Sequence, residues 1–426
     1  MAEINIGKAP SGRAVLPFYA TGTVAFFCLC VMMLLSPASL TMHYFNPNLL
    51  AIVHMAALGW GTMIIFGAAH QLLPVICEQD LFSEKIASLS WYTLTSGVIM
   101  LVYTFWNFST GKMMITGGAL VVGSALLYTI NVLLTSRVCR RYSIQKVYLL
   151  SSALWLLFTV VAGLLLAINL SHPFFEKNHL DILKLHAHAG LAGWFLQLIA
   201  GVSTKLVPMF LLAKSTKEYL LKYAIILQNA ALILFIADGY FTGLTDRVLL
   251  YAVLMAAGIA CWLLYLFDAY RKRIRKKIDM MMRHTFISFA CLLISVLLIP
   301  AVWLFTGTEW AILYGSFLFM GWITGIILGK TFKTLPFIVW NGHYKNLSGK
   351  VKVPLPKQLY DERLVEWQFW FFISAVLLLG VGIITKSLPV IQLALVLWLI
   401  VAVLYSYNVM KTLLHKTKIP EENRER

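Results

Sequence analysis

The chain has 426 residues, of which 60% are hydrophobic and only 12% are charged. Soluble domains carry roughly 25% charged residues, so this composition predicts an integral membrane protein and excludes an ordinary soluble enzyme. Lysine and arginine number 35 against 18 aspartates and glutamates. These basic residues lie in loops between apolar segments, which argues against a nucleic-acid partner.

Apolar runs of about 20 residues each predict twelve membrane-spanning helices. In chain order they cover approximately residues 15–37, 48–76, 87–107, 113–135, 147–170, 182–213, 218–241, 246–270, 285–306, 309–340, 366–386 and 388–411. We therefore predict an all-α, polytopic membrane protein. A single transmembrane domain covers residues 1–426, and residues 412–426 form a cytoplasmic tail.

The second, sixth and tenth spans share a sequence pattern. Each contains a Gly-Trp pair, a glycine seven residues after the tryptophan, and a proline seven residues after that glycine. The copies are Gly59-Trp60 with Gly67 and Pro74, Gly193-Trp194 with Gly201 and Pro208, and Gly321-Trp322 with Gly329 and Pro336. This repetition predicts three pseudo-symmetric four-helix units, at about residues 15–135, 147–270 and 285–411. Because small residues let membrane helices approach closely, the glycines are expected to pack the three long helices against one another.

Basic residues cluster in the loops after spans four, six, eight and ten. They include Arg137, Arg140, Arg141, Lys146, Lys214, Lys217, Lys222, Arg271, Lys272, Arg273, Lys277, Lys345, Lys350, Lys352 and Lys357. These loops share one side with both termini, and the positive-inside rule places that side in the cytoplasm. We also see no cleavable signal peptide. The sequence thus predicts a multi-pass protein of the inner (plasma) membrane, surrounded by lipid.

Four of the ten histidines fall within or near the apolar spans: His54 and His70 in the second, His186 and His188 in the sixth. An imidazole inside a membrane is costly unless it is bonded or coordinates something, so each is a candidate metal or cofactor ligand. His54 and His188 each precede the tryptophan of their copy by six residues, where the third copy has Ser316. An interhelical hydrogen bond is the alternative role for both.

Helix geometry separates the four. His54 and His70 are 16 residues apart, or about 24 Å along an α-helix, so they cannot bind one metal ion. His186 and His188 differ by about 200° around a helix, so His186 points elsewhere, toward a second site or a propionate. The other six histidines fall in loops or at span ends and are expected to be solvated: His43, His172, His179, His284, His343 and His415.

The arrangement resembles two families. Twelve spans in three pseudo-symmetric fours, with histidines on spans two and six, is the plan of the haem–copper oxidase catalytic subunit. The local sequence is more similar to the NnrS family, membrane proteins containing haem and copper that are tied to the nitric-oxide response. Its motifs H-A-H, G-[WY], I-A-G and V-P match His186-Ala187-His188, Gly193-Trp194, Ile199-Ala200-Gly201 and Val207-Pro208.

The resemblance implies one or two haems, with copper as a further candidate cofactor. It implies that His54 is an axial haem ligand and that His188 lies on the helix that supplies a copper ligand in the oxidases. His186 and His70 would be auxiliary ligands. A cytochrome or another redox partner subunit is also implied. Neutral imidazole is a good axial ligand for iron, and a dry helical pocket tunes the potential of the iron.

The departures from the oxidase pattern restrict the function. Oxidases carry two histidines on span ten and adjacent copper-binding histidines on span seven. Here Ser316 stands in span ten, and residues 222–241 contain no histidine. The usual oxygen-reducing centre cannot be assembled from these residues, so proton-pumping oxygen reduction is not expected.

Three functions therefore stay open. The first is a haem protein for electron transfer or for oxygen or nitric-oxide chemistry or sensing, including an oxidoreductase of the oxidase or nitric-oxide reductase type. The second is an accessory protein that sequesters haem, copper or nitric oxide without turnover. The third is a secondary transporter, although transporters often show a six-plus-six repeat and midplane polar sites.

Overall fold

The computed structural model describes residues 10–138 and 143–417. Within them, twelve helices are long and apolar enough to cross a membrane, which confirms the predicted number. They are α1 Gly12–Leu35, α2 Pro47–Cys77, α3 Glu84–Trp106, α4 Lys112–Val138, α5 Ile144–Ser171, α6 His179–Leu211, α7 Tyr219–Phe241, α8 Arg247–Arg271, α9 Met280–Leu304, α10 Thr308–Tyr344, α11 Glu362–Ile384 and α12 Leu388–Leu413. No β-strand forms in the described part of the chain. The all-α fold class is therefore confirmed.

The chain divides into two compact parts. The mid-chain part consists of Leu72–Ile278 and Val296–Leu304. The terminal part consists of Pro10–Gln71, Asp279–Ser295 and the chain from Phe305 onward. The mid-chain part therefore holds α3 to α8, and the terminal part holds α1, most of α2, and α10 to α12.

Each of the three long helices contains a π-helical segment. The segments are Met55–Thr62 in α2, Ala189–Leu196 in α6 and Phe317–Ile323 in α10. They begin directly after the three aligned positions, His54, His188 and Ser316. π-Helical turns are rare and frequently lie at functional sites. Their recurrence at one aligned position supports the internal repeat that the sequence pattern indicates.

The glycines that follow the tryptophans do not pack as predicted, because each contacts the first helix of its own four-helix group. An ideal Cβ built on Gly67 would lie 2.8 Å from Phe18 Cβ in α1, one on Gly201 2.4 Å from Tyr148 Cβ in α5, and one on Gly329 2.7 Å from His284 Cβ in α9. A short connection joins each first helix to the long helix that follows it. The first helix is therefore the antiparallel neighbour that packs against the glycine-bearing face of the long helix.

The last helix of each group carries a second repeated pattern, a tyrosine followed three residues later by asparagine or aspartate. The copies are Tyr128 and Asn131 in α4, Tyr265 and Asp268 in α8, and Tyr405 and Asn408 in α12. In the mid-chain part the Tyr128 ring lies 5.5 Å from that of Trp194, and in the terminal part the Tyr405 ring lies 5.2 Å from that of Trp60. Aromatic pairs at this spacing stabilise the packing of long helices.

The asparagine or aspartate of this pattern hydrogen-bonds to a residue that lies just before the start of another helix. Asn131 accepts from the backbone N–H of Ser83 at 3.1 Å and donates to its carbonyl at 3.0 Å. Asn408 makes the same two bonds with Asp361, at 2.9 and 3.1 Å. Asp268 accepts from the Ser215 hydroxyl at 2.7 Å. These bonds satisfy polar groups that a helix start would otherwise leave unbonded.

Large apolar side chains cover the outward faces of the helices. Ile99, Ile226, Val253, Leu297 and Trp367 are each at least 60% exposed. Monomeric soluble proteins rarely expose apolar surface on this scale, whereas a membrane helix presents it to lipid. The exposed faces and the twelve long helices together describe a multi-pass membrane protein.

Candidate functional site

His54 ends the first α-helical stretch of α2. Asn46 caps this stretch by accepting from the Leu49 N–H at 2.9 Å, and the π-segment begins at the next residue, Met55. The imidazole is half-buried, and its Nδ1 lies 2.7 Å from the carbonyl oxygen of Leu50. Because a carbonyl can only accept, Nδ1 carries the proton and Nε2 carries a lone pair.

His188 repeats this geometry in the mid-chain part. It is the last residue before the π-segment of α6, and its Nδ1 lies 2.8 Å from the carbonyl oxygen of Lys184. The half-buried ring lies 5.2 Å from the ring of Phe235 in α7. Phe235 forms an apolar cluster with Leu185 and Leu232. This imidazole therefore lies beside a water-excluding surface.

The two histidines thus share a tautomer as well as an aligned position. A histidine that binds a metal usually donates from one ring nitrogen to a carbonyl and ligates through the other nitrogen. The donor chemistry of His54 and His188 fits axial ligation of haem iron by Nε2. Ser316, at the third aligned position, offers a hydroxyl in place of an imidazole.

His186 faces a different helix from His188. Its Nδ1 lies 2.9 Å from the carbonyl oxygen of Thr159 in α5. A Cβ added to Gly163, also in α5, would lie 2.8 Å from Cε1 of the His186 ring. This contact is an interhelical hydrogen bond, the kind of role that the sequence left open for His54 and His188, and a ligand role for His186 stays a prediction.

His70 is fully buried in the terminal part, with ring-centroid distances of 5.6 Å to Phe18 and 6.2 Å to Phe66. A ligand role for it also stays a prediction. Across residues 10–138 and 143–417, no group of three or more His, Cys, Asp or Glu side chains converges in a way that could hold a metal ion.

Two of the six histidines predicted to be solvated, His43 and His172, are exposed. The prediction is wrong for His284, which is fully buried. The helix α9 begins at Met280, where Asp279 caps it by accepting from the Met282 N–H at 3.1 Å. His284 consequently lies one turn inside the helix and not at its mouth.

The other three of the six are half-buried and hydrogen-bond to other residues, so they are only partly solvated. His343 Nδ1 lies 2.8 Å from the Thr417 hydroxyl, and His415 Nε2 lies 2.8 Å from the Tyr344 hydroxyl. These two contacts join the residues after α12 to the end of α10. His179 Nδ1 lies 3.1 Å from the side-chain nitrogen of Asn169.

Comparison with solved structures finds a related fold. A chain from a haem–copper terminal oxidase dimer, solved by cryo-electron microscopy, superposes with a TM-score of 0.65 at 10% sequence identity. The superposition covers 95% of this chain and 85% of that chain. No protein-family model and no curated protein matches the sequence. At this identity the likeness establishes the fold, and the chain has the twelve-helix fold of a haem–copper oxidase subunit.

Proposed function

We propose that this protein holds haem inside the membrane through His54 and His188, each as an axial ligand within its own part of the chain. The observation that carries the proposal is the shared placement of these histidines. Each ends an α-helical stretch directly before a π-segment, and each has its Nδ1 against the carbonyl four residues earlier. Two unrelated core histidines would not be expected to share position, tautomer and helix distortion.

Haem, when bound, supplies an iron that exchanges an electron or takes a diatomic gas. The protein contributes ligands and surroundings. The carbonyls of Leu50 and Lys184 fix the orientation of each ring and make its Nε2 a stronger donor. The Phe235 cluster beside His188 keeps water away, which lowers the local dielectric constant and adjusts the potential of the iron.

We further propose electron transfer, or binding of nitric oxide or oxygen, in preference to oxygen reduction at a haem–copper pair. The fold is that of a haem–copper oxidase, but the described residues offer no three-ligand copper site. The NnrS-like motifs around His188 favour nitric oxide as the gas. A cytochrome or other redox subunit would then exchange electrons with this chain in the inner membrane.

The proposal is tested by purifying the protein after haem-supplemented expression and measuring haem per chain and the Soret band. Variants His54→Ala, His188→Ala and the double variant are compared with His172→Ala, which removes an exposed histidine. We expect each single variant to lose or shift part of the band, the double variant to lose it, and the control to match the wild type. A double variant with the wild-type spectrum would refute ligation by these residues.

Turnover is a separate question from haem binding. Stopped-flow mixing of the reduced protein with nitric oxide or with oxygen distinguishes a sequestering protein from an oxidoreductase. A stable gas adduct with one equivalent bound indicates storage or sensing. Multiple turnovers in the presence of a reductant indicate catalysis.

A further inference from the structure

Several buried polar groups of the terminal part have no hydrogen-bond partner among the described residues, and two of these fully buried side chains lie on α9 and α11. They are His284 in α9, at both ring nitrogens, and Gln368 in α11, at both amide atoms. Buried polar groups in folded proteins are nearly always bonded to protein or to ordered water, because leaving them unbonded is costly. In a membrane interior no bulk water relieves that cost.

The two side chains belong to one helix–helix contact. The ring of His284 lies 4.9 Å from that of Phe369 and 5.3 Å from that of Phe372, both in α11. Gln368 directly precedes Phe369 and lies one turn before Phe372, so it is on the α11 surface that His284 meets. The close approach of Gly329 to the His284 Cβ holds the other side of α9 in place.

The position aligned with His284 holds a phenylalanine or a tyrosine in the other two four-helix groups of this chain. The aligned glycine contact is made by Phe18 in the first four-helix group and by Tyr148 in the second. An imidazole here therefore adds hydrogen-bonding capacity at a place where packing alone requires none. Gln368 supplies the matching capacity from the opposite helix.

We propose that His284 and Gln368 form an internal site that binds water between α9 and α11. A neutral imidazole offers one N–H donor and one acceptor nitrogen, and the glutamine amide offers two N–H donors and one oxygen acceptor. A single water can accept from the imidazole N–H and donate to the amide oxygen. A water with two to four polar partners of this kind is stably held in a protein interior. The site is independent of haem.

Infrared difference spectra in H₂¹⁶O and H₂¹⁸O test this directly, with thermal unfolding of the same samples followed by tryptophan fluorescence. The first variant is His284→Phe, which introduces the phenylalanine found at the aligned position of the first four-helix group. The second variant is Gln368→Leu, and the third combines both substitutions. The control is Tyr148→Phe, at the aligned position of the second group. We expect an isotope-sensitive band from buried water in the wild type and the control that both single variants lose.

We also expect each single variant to unfold several degrees lower and the double variant to unfold no lower than the worse single variant. A dry site predicts the reverse: no band is lost, and each substitution raises the unfolding temperature additively by removing an unbonded polar group. If His284→Phe does not fold, a high-resolution map of the wild-type protein decides the matter. Density within hydrogen-bond distance of both side chains supports the site, and its absence overturns the proposal.

Discussion

The Nδ1 atom of His54 lies 2.7 Å from the carbonyl oxygen of Leu50, one helical turn earlier in the same helix. His188 is held in the same way by Lys184, at 2.8 Å. In both copies the partner is a backbone atom, so the orientation of the ring does not depend on which side chain stands four residues before it.

This dependence on backbone alone predicts that Lys184→Gln leaves haem content and the Soret band unchanged. The substitution removes the Lys184–Asp181 ion pair, whose side chains are 41% and 37% exposed. Such an exposed pair contributes about 1 kcal/mol or less. Haem titration of the purified variant checks the expectation, with His188→Ala as the positive control. Loss of haem in Lys184→Gln would mean that the lysine side chain takes part in the site.

His186 is expected to stabilise the α5–α6 contact, and its auxiliary ligand role stays a prediction. His186→Ala should lower the unfolding free energy by about 1 kcal/mol through loss of its bond to the Thr159 carbonyl, and haem per chain measured on the same variant tests the ligand role. Gly163→Ala should destabilise as well, because the new Cβ would meet the His186 ring at 2.8 Å. A His186→Ala protein that folds normally but loses haem would make His186 a ligand.

The glycine contacts with the first helices predict a graded effect of adding one methyl group. Gly201→Ala should destabilise by roughly 1–3 kcal/mol, because the added atom would lie 2.4 Å from Tyr148 Cβ and the helices must separate. Gly123→Ala in α4 is the matched control, since nothing lies within 4 Å of its added Cβ. The control should be neutral or slightly stabilising. Equal unfolding temperatures for both variants would show that the Gly201 contact is not close in solution.

The number of the spans and their approximate limits were predictable because they depend on apolar length alone. The alignment of His54 with His188 was also visible, since it is a matter of spacing. The π-segments were not predictable from the sequence, because a π-turn is set by the tertiary surroundings of a helix that looks regular in sequence. The packing of the glycines was not predictable from their small size alone, because the chain connections place the first helix of each group against the glycines.

Two further features of the fold have a signal in the sequence. Tyr128 with Asn131 and Tyr405 with Asn408 repeat at the same place in their groups, and alignment of the last helices would have shown this. The burial of His284 follows from a helix start at Asp279, a residue type that commonly caps helices. We expected His284 to be solvated because the predicted start of this span was too late in the chain.

The side-chain bonds of Asn131 predict the cost of disrupting a helix start. Asn131→Leu should destabilise by roughly 1–3 kcal/mol, because the part-buried Ser83 N–H loses its partner and the Ser83 carbonyl keeps only its bond from the Ala87 N–H. Asn131→Asp keeps the acceptor for the Ser83 N–H but turns an oxygen toward the Ser83 carbonyl at a fully buried position, so it should destabilise as well. Thermal unfolding in one detergent ranks the two variants. An Asn131→Leu protein as stable as the wild type would show that water replaces the side chain there.

The basic loops predict the orientation of the chain in the membrane. In a variant with the native cysteines replaced, a cysteine at Lys350 should react with an impermeant maleimide only after the cytoplasmic side is exposed. A cysteine at Glu176, in the loop between α5 and α6, should react in intact cells. The reverse labelling pattern would invert the proposed topology and place the basic loops outside.

The most direct test of haem binding is an absorption spectrum with haem and metal analysis of the purified, haem-supplemented wild-type protein, oxidised, reduced and exposed to nitric oxide. The account predicts a Soret band with at least one haem per chain, and a shift on reduction or on addition of the gas. A well-folded preparation that stays colourless and free of iron would contradict it.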